Sequence, residues 1–155
     1  MTRITRRAFT LIDLMIVIVI LGVLAAIVLP MFQTHKAEAA TAALQTTLRI
    51  VKEEIVLYQA TNNVVPPNID PDWFAEDAIP EHPENTIGVA ALELATGPAA
   101  HPTDKVLKAG VAGAFWYNQD NAAFRARVSD QGTAAETLVY YNFINDAAVA
   151  SLGNY

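Results

Sequence analysis

Asp13 is the single charged side chain among the 21 residues from Phe9 to Leu29, and a carboxylate in that setting can do one thing: hold a cation where water is scarce. By insertion scales a carboxylate near the centre of a membrane helix costs about 2.5 to 3.5 kcal/mol, and less near the interface, so one that is tolerated usually has a partner. Two readings follow. Either Asp13 lies in the first helical turn, near water and the positive helix N-terminus where a negative charge is stabilised, or it neutralises a cation on another copy of the chain.

The remaining groups that could do chemistry are scattered. His35, His82 and His101 are isolated, and Glu53 and Glu54 are neighbours on a helix and so point in different directions, unlike a working carboxylate pair. There is no glycine-rich phosphate loop, no metal-spaced cluster and no nucleophile elbow, so the sequence does not read as an enzyme. A net charge of −6 argues against nucleic-acid binding through a basic surface. With no cysteine, a small exported domain has no disulfide staple and must rely on its core, its helix, assembly or a bound ion.

The element that positions Asp13 is the apolar run itself. From Phe9 to Leu29 a helix would extend about 31 Å, enough to cross a bilayer. Its Ile and Val content would suit a buried strand in water, but an uninterrupted run of this length suits a helix in lipid, where every backbone group is bonded within the segment. Arg3, Arg6 and Arg7 precede it without an acid, which keeps the N-terminus on the cytoplasmic side and sends the remainder outward. Thr5-Arg6-Arg7-Ala8-Phe9 is also close to a twin-arginine export motif. Against that alternative, the apolar run exceeds the 7 to 15 residues of a cleavable core, and Leu24-Ala25-Ala26 is not an Ala-x-Ala site.

Beyond Pro30, which lacks an N–H and should bend or loosen the helix, the pattern becomes amphipathic. Ala37, Ala40, Leu44, Leu48, Val51, Ile55 and Tyr58 recur at spacings of three and four. Ile50, Val56 and Leu57 widen the apolar stripe toward its end, as expected if a sheet packs over that part. The alanine-rich stretch near Pro30 suits a place where helices from several copies crowd together.

The N-terminal residues resemble a known family. Basic leader, small residue, Phe9-Thr10-Leu11-Ile12-Asp13-Leu14-Met15-Ile16-Val17 and a proline after Leu24-Ala25-Ala26 are similar to the signal of type IV pilins and type II secretion pseudopilins. The resemblance implies that a prepilin peptidase cuts between Ala8 and Phe9 and methylates the new amine. Asp13 becomes the fifth residue after the cut and Pro30 the twenty-second, where the family has its acid and its helix-bending proline. The implied role of the acid is to pair with the N-terminal amine of a neighbouring subunit, and both groups are charged near neutrality. Two residues depart from the family pattern: Ala8 replaces the usual Gly, and Asp13 is one methylene shorter than the usual Glu. Loss of the leader leaves seven basic against sixteen acidic residues, a charge of −9. The lack of cysteine removes the C-terminal disulfide loop of many type IV pilins and tilts the resemblance toward a major pseudopilin.

The rest of the chain reads as a small head. Asn62-Asn63 ends the helix, and residues 64–86 hold five prolines and six acids in an irregular segment pinned by Trp73-Phe74. Ile87 to Ala95 suits a short helix. Gly110 to Val128 reads as a β-hairpin turning at Asn118-Gln119-Asp120-Asn121, with Phe115, Tyr117, Phe124, Ala126 and Val128 on an apolar face and Arg125 and Arg127 on the other. Thr133-Ala134-Ala135-Glu136 has capping-box spacing, so a short helix is expected after it, with a strand as the alternative.

Major pseudopilins commonly hold calcium in their C-terminal loops. Asp120, Asp130 and Asp146 are suitable oxygen donors but form no EF-hand run, so calcium stays open as a cofactor with no metal residue assigned.

The expected architecture is α+β and pilin-like: a leader at 1–8, a transmembrane and filament-core helix at 9–30, its amphipathic continuation at 31–62, and a soluble head with a small antiparallel sheet at 63–155. By resemblance the chain is a non-enzymatic filament subunit, held first in the inner membrane with its head in the periplasm. It would polymerise into a type II secretion pseudopilus that supports protein secretion, or alternatively a type IV pilus. The implied partners are further copies of the chain, a prepilin peptidase, an inner-membrane assembly platform and related minor pseudopilins, with no nucleic acid. The rival of another class is an anchored periplasmic binding module that never polymerises.

Overall fold

The structure, a computed structural model, describes residues 11–153, without the side chains of Pro30, Gln33 and Thr34. Helix α1 (Leu11–Asn62) is followed by a short 3-10 turn (Pro71–Trp73), strands β1 (Leu92–Ala95), β2 (Phe115–Asn118) and β3 (Phe124–Ala126), and helix α2 (Ala134–Asn145). The α+β, pilin-like expectation therefore holds. Two compact units divide the chain, residues 1–39 and residues 40–155.

In the first unit, α1 is apolar on every side from Leu14 to Leu29, and none of Leu11–Leu29 is buried by the rest of the chain. A helix hydrophobic all round needs a surrounding other than water. Pro30 lies inside α1, and the helix continues through it.

In the second unit the apolar stripe of α1 becomes the wall of a core. Leu44, Leu48, Val51 and Ile55 are buried together with Phe115, Tyr117, Phe124, Val128, Tyr141 and Ile144. The helix stops where Asn63 takes a left-handed backbone, φ 57°, and its N–H closes onto the Gln59 carbonyl at 2.8 Å. Asparagine tolerates that conformation better than most residues. Trp73 then packs on Tyr58, ring centroids 5.5 Å apart, and pins the proline-rich segment to α1.

The sheet corrects two expectations. It is mixed rather than antiparallel: β2 and β3 form the expected hairpin, but β1 runs parallel to β2, with Leu92 opposite Phe115 and Leu94 opposite Tyr117. Residues 92–95 are thus a strand, not part of a short helix. Their backbone groups are satisfied by a partner more than twenty residues away, reached through the long 96–114 connection that a parallel pair requires. Gly113 permits that close approach, since a Cβ there would lie 2.6 Å from the Glu93 nitrogen.

A third correction concerns α1. Val56 and Leu57 are 61% and 60% exposed and Ile50 is 38% exposed, so no sheet covers that flank. The sheet packs instead on the Leu44–Ile55 stripe. Helix α2 confirms the capping signal: Thr133 Oγ1 accepts from the Glu136 N–H at 3.2 Å and donates to the Glu136 carboxylate at 2.7 Å.

Candidate functional site

The first candidate site is the exposed apolar surface of residues 11–29, with Asp13 in the first turn of α1 as described and partly buried there. Its neighbours Leu11, Ile12 and Leu14 are 78%, 65% and 56% exposed, so the carboxylate sits in a sleeve of hydrocarbon that the chain itself does not cover. Such a surface can enter lipid or pack against other helices of the same kind. Ala8 and Phe9, the expected cleavage residues, and the 1–8 leader lie outside the described residues.

The head contains a second arrangement that sequence reasoning did not find, a polar clasp joining four parts of the fold. Tyr140 on α2 donates its hydroxyl proton to the Glu84 carboxylate and accepts from Thr41 of α1 at 2.9 Å. The other Glu84 oxygen accepts from the Ser129 N–H at 3.0 Å. Burial and the Glu84 carboxylate push the Tyr140 hydroxyl up to about 12, so it stays a donor at any ordinary pH. Two residues earlier, buried His82 accepts the Glu84 N–H on Nδ1 and donates from Nε2 to the Arg127 carbonyl at 2.8 Å, which defines a neutral imidazole. Burial pulls the His82 pKa below its ordinary value. Apart from the local Glu84–His82 bond, separations of 45 to 99 residues between these partners explain why no local pattern announces them.

The basic side of the hairpin also resolves. Arg127 is 3% exposed, donates to the Asp104 and Gly113 carbonyls and pairs with Glu93 on β1, so its charge is structural. His101 meets the Tyr141 hydroxyl at 2.8 Å and is pushed down to about 4 by burial, then by the charges of Arg125 and Lys105.

The three aspartates considered for calcium are not brought together. Asp120 accepts the Gly97 N–H, Asp130 accepts the Gly132 N–H at 2.7 Å, and Asp146 is the left-handed C-cap of α2. Among the described residues no group of three His, Asp or Glu side chains converges as metal ligands would.

Residues 3–29 match the prokaryotic N-terminal methylation motif. That span includes the Ala8–Phe9 junction and Asp13, and it ends one residue before Pro30. The N-terminal segment of the chain therefore carries the methylation motif that the sequence reading likened to pilin and pseudopilin signals. A curated relative, fimbrial protein EcpB of Eikenella corrodens, is 62% identical over 34 residues, 22% of this chain and 21% of that protein. The chain therefore matches about a fifth of that relative's length. No solved structure matches.

Proposed function

We propose that this chain is a pilin-family structural filament subunit, inserted by residues 9–30 in the inner membrane with its head in the periplasm, then processed and polymerised. The observation that carries the reading is the apolar Leu11–Leu29 stretch of α1, left unburied by the rest of the chain and bearing one carboxylate, within a matched N-terminal methylation motif. In lipid that helix buries its side chains against acyl tails; in a filament it buries them against copies of itself, so the same surface serves storage and assembly. Asp13 supplies direction. A helix sleeve of pure hydrocarbon can slide, whereas a carboxylate that must meet the methylated Phe9 amine of a neighbour fixes the register.

The finer reading is a type II secretion pseudopilus subunit, favoured by the absence of cysteine. A type IV pilus subunit is the second reading, favoured by the fimbrial relative. The assembly partners are the prepilin peptidase, an inner-membrane platform and related minor subunits. Calcium remains a proposal without assigned ligands.

The test is intact mass and N-terminal analysis of the chain purified from host membranes. A chain that begins at methylated Phe9 supports the reading. Retention of Met1 would make it an anchored module, and cleavage after Ala26 an ordinary exported domain.

A further inference from the structure

The flank of α1 that the sheet leaves bare is one wall of a groove of about 920 Å³ whose other wall is the end of α2. Val56, Leu57 and Phe143, each about 60% exposed, supply its apolar surface, with Lys52 and Arg49 along it. Glu53 and Asp146 also line it, so it is not uniformly basic. Lys52 is nonetheless short of negative charge: burial and the Arg125 charge both act against its ammonium, and only Asp146 opposes them. A carboxylate entering beside Lys52 would relieve this, provided it arrives with apolar neighbours to fill the groove.

The chain carries such a segment. From Glu53 to Asp104 there are ten acids and no Lys or Arg, and Asp70, Asp72, Glu76, Asp77 and Glu81 are exposed among Ala75, Ala78 and Ile79. A copy does not reach its own groove with this segment. Trp73 is held on Tyr58, and Tyr58 lies about 160° around α1 from Val56 at about 100° per residue. Groove and segment therefore occupy opposite flanks of α1.

We propose that the groove between α1 and α2 receives the acidic Asp70–Glu81 segment of a second copy of this chain. The contact is heterologous, because the two surfaces differ, and a heterologous contact that does not close into a ring propagates as an open helical series. The inference rests on the filament reading and names the head surfaces that would join.

The native chain has no cysteine, so paired cysteines report the contact directly. Val56→Cys and Ala75→Cys are both at exposed positions and leave every acid and Lys52 in place. The full-length double variant, assembled in its host and oxidised, should give a ladder of covalent multimers that neither single variant gives. Adding Lys52→Glu should remove the ladder, with the head's Trp fluorescence unchanged. Filaments of the double variant without a ladder would overturn the groove assignment while leaving the filament reading intact. Dimers from Val56→Cys alone would overturn it in favour of groove-to-groove pairing. A wild-type chain that is processed but makes no filament would overturn both readings.

Discussion

Residues 11–39 and residues 40–62 belong to one helix, yet the two stretches are stabilised by different surroundings. The first buries none of its apolar side chains within the chain through Leu29. The second buries Leu44, Leu48, Val51 and Ile55 against strands and α2. Helix formation is thus not what distinguishes them; the partner for the side chains is. The first stretch depends on something outside the molecule, and the second carries its partner in the same chain.

The sharpest way to test that division is Asp13, the one charged group between Leu11 and Leu29. Asp13→Ala removes a charge from the apolar segment, so membrane insertion should be unchanged or improved. Filament yield, counted by electron microscopy, should fall by about tenfold or more, corresponding to at least about 1.4 kcal/mol of lost pairing. Normal assembly of this variant would sink the pairing idea.

A matched pair of deletions separates the two stretches energetically. Leu48 is 2% exposed in the head core, and Leu48→Ala should destabilise the head by about 2 to 5 kcal/mol. Leu21 is 58% exposed, so Leu21→Ala should leave head unfolding unmoved. Both tryptophans, Trp73 and Trp116, lie in the head, so their fluorescence during urea unfolding in detergent reports that unit alone. Equal shifts for the two variants would break the comparison.

The same division governs what was legible in the sequence. The apolar run, the Leu44–Ile55 stripe, the Asn62-Asn63 stop, the β2–β3 hairpin and the Thr133 cap are all local patterns, and each appears in the structure. Strand β1 was not legible, because Leu92–Ala95 owes its conformation to parallel pairing with Phe115–Asn118 across a long connection. Nor was the bare flank at Val56 and Leu57: apolarity gives the face but not which element covers it. The Thr41–Tyr140–Glu84–Ser129 clasp joins residues that no short window contains.

Head stability should depend on pH in a direction set by its histidines. His101 falls from an ordinary 6.5 to about 4 in the fold, so the unfolded chain binds a proton more readily over that interval. Stability is therefore fully present above about 6.5, declines as pH falls, and levels off below about 4. His82, also held neutral, adds to the same trend. His101→Gln should flatten the slope in urea midpoints measured across this range, and an unchanged slope would mean that another group carries it.

The smallest effect is expected where the head's structure is most local. Thr133 takes the extended N-cap conformation at φ −133° and ψ 153° and satisfies the Glu136 N–H, one of the four amides that begin α2 without a helical partner. Thr133→Ala deletes that acceptor while leaving the buried face of α2, Tyr141 and Ile144, in place, and should cost about 1 kcal/mol. Thr133→Ser keeps the hydroxyl and should recover most of the loss. Because Thr133 lies in the unit that carries its own core, the cost should appear in head unfolding while membrane insertion stays constant. A Thr133→Ala loss as large as that of Leu48→Ala would show that α2 holds the core together rather than merely closing over it.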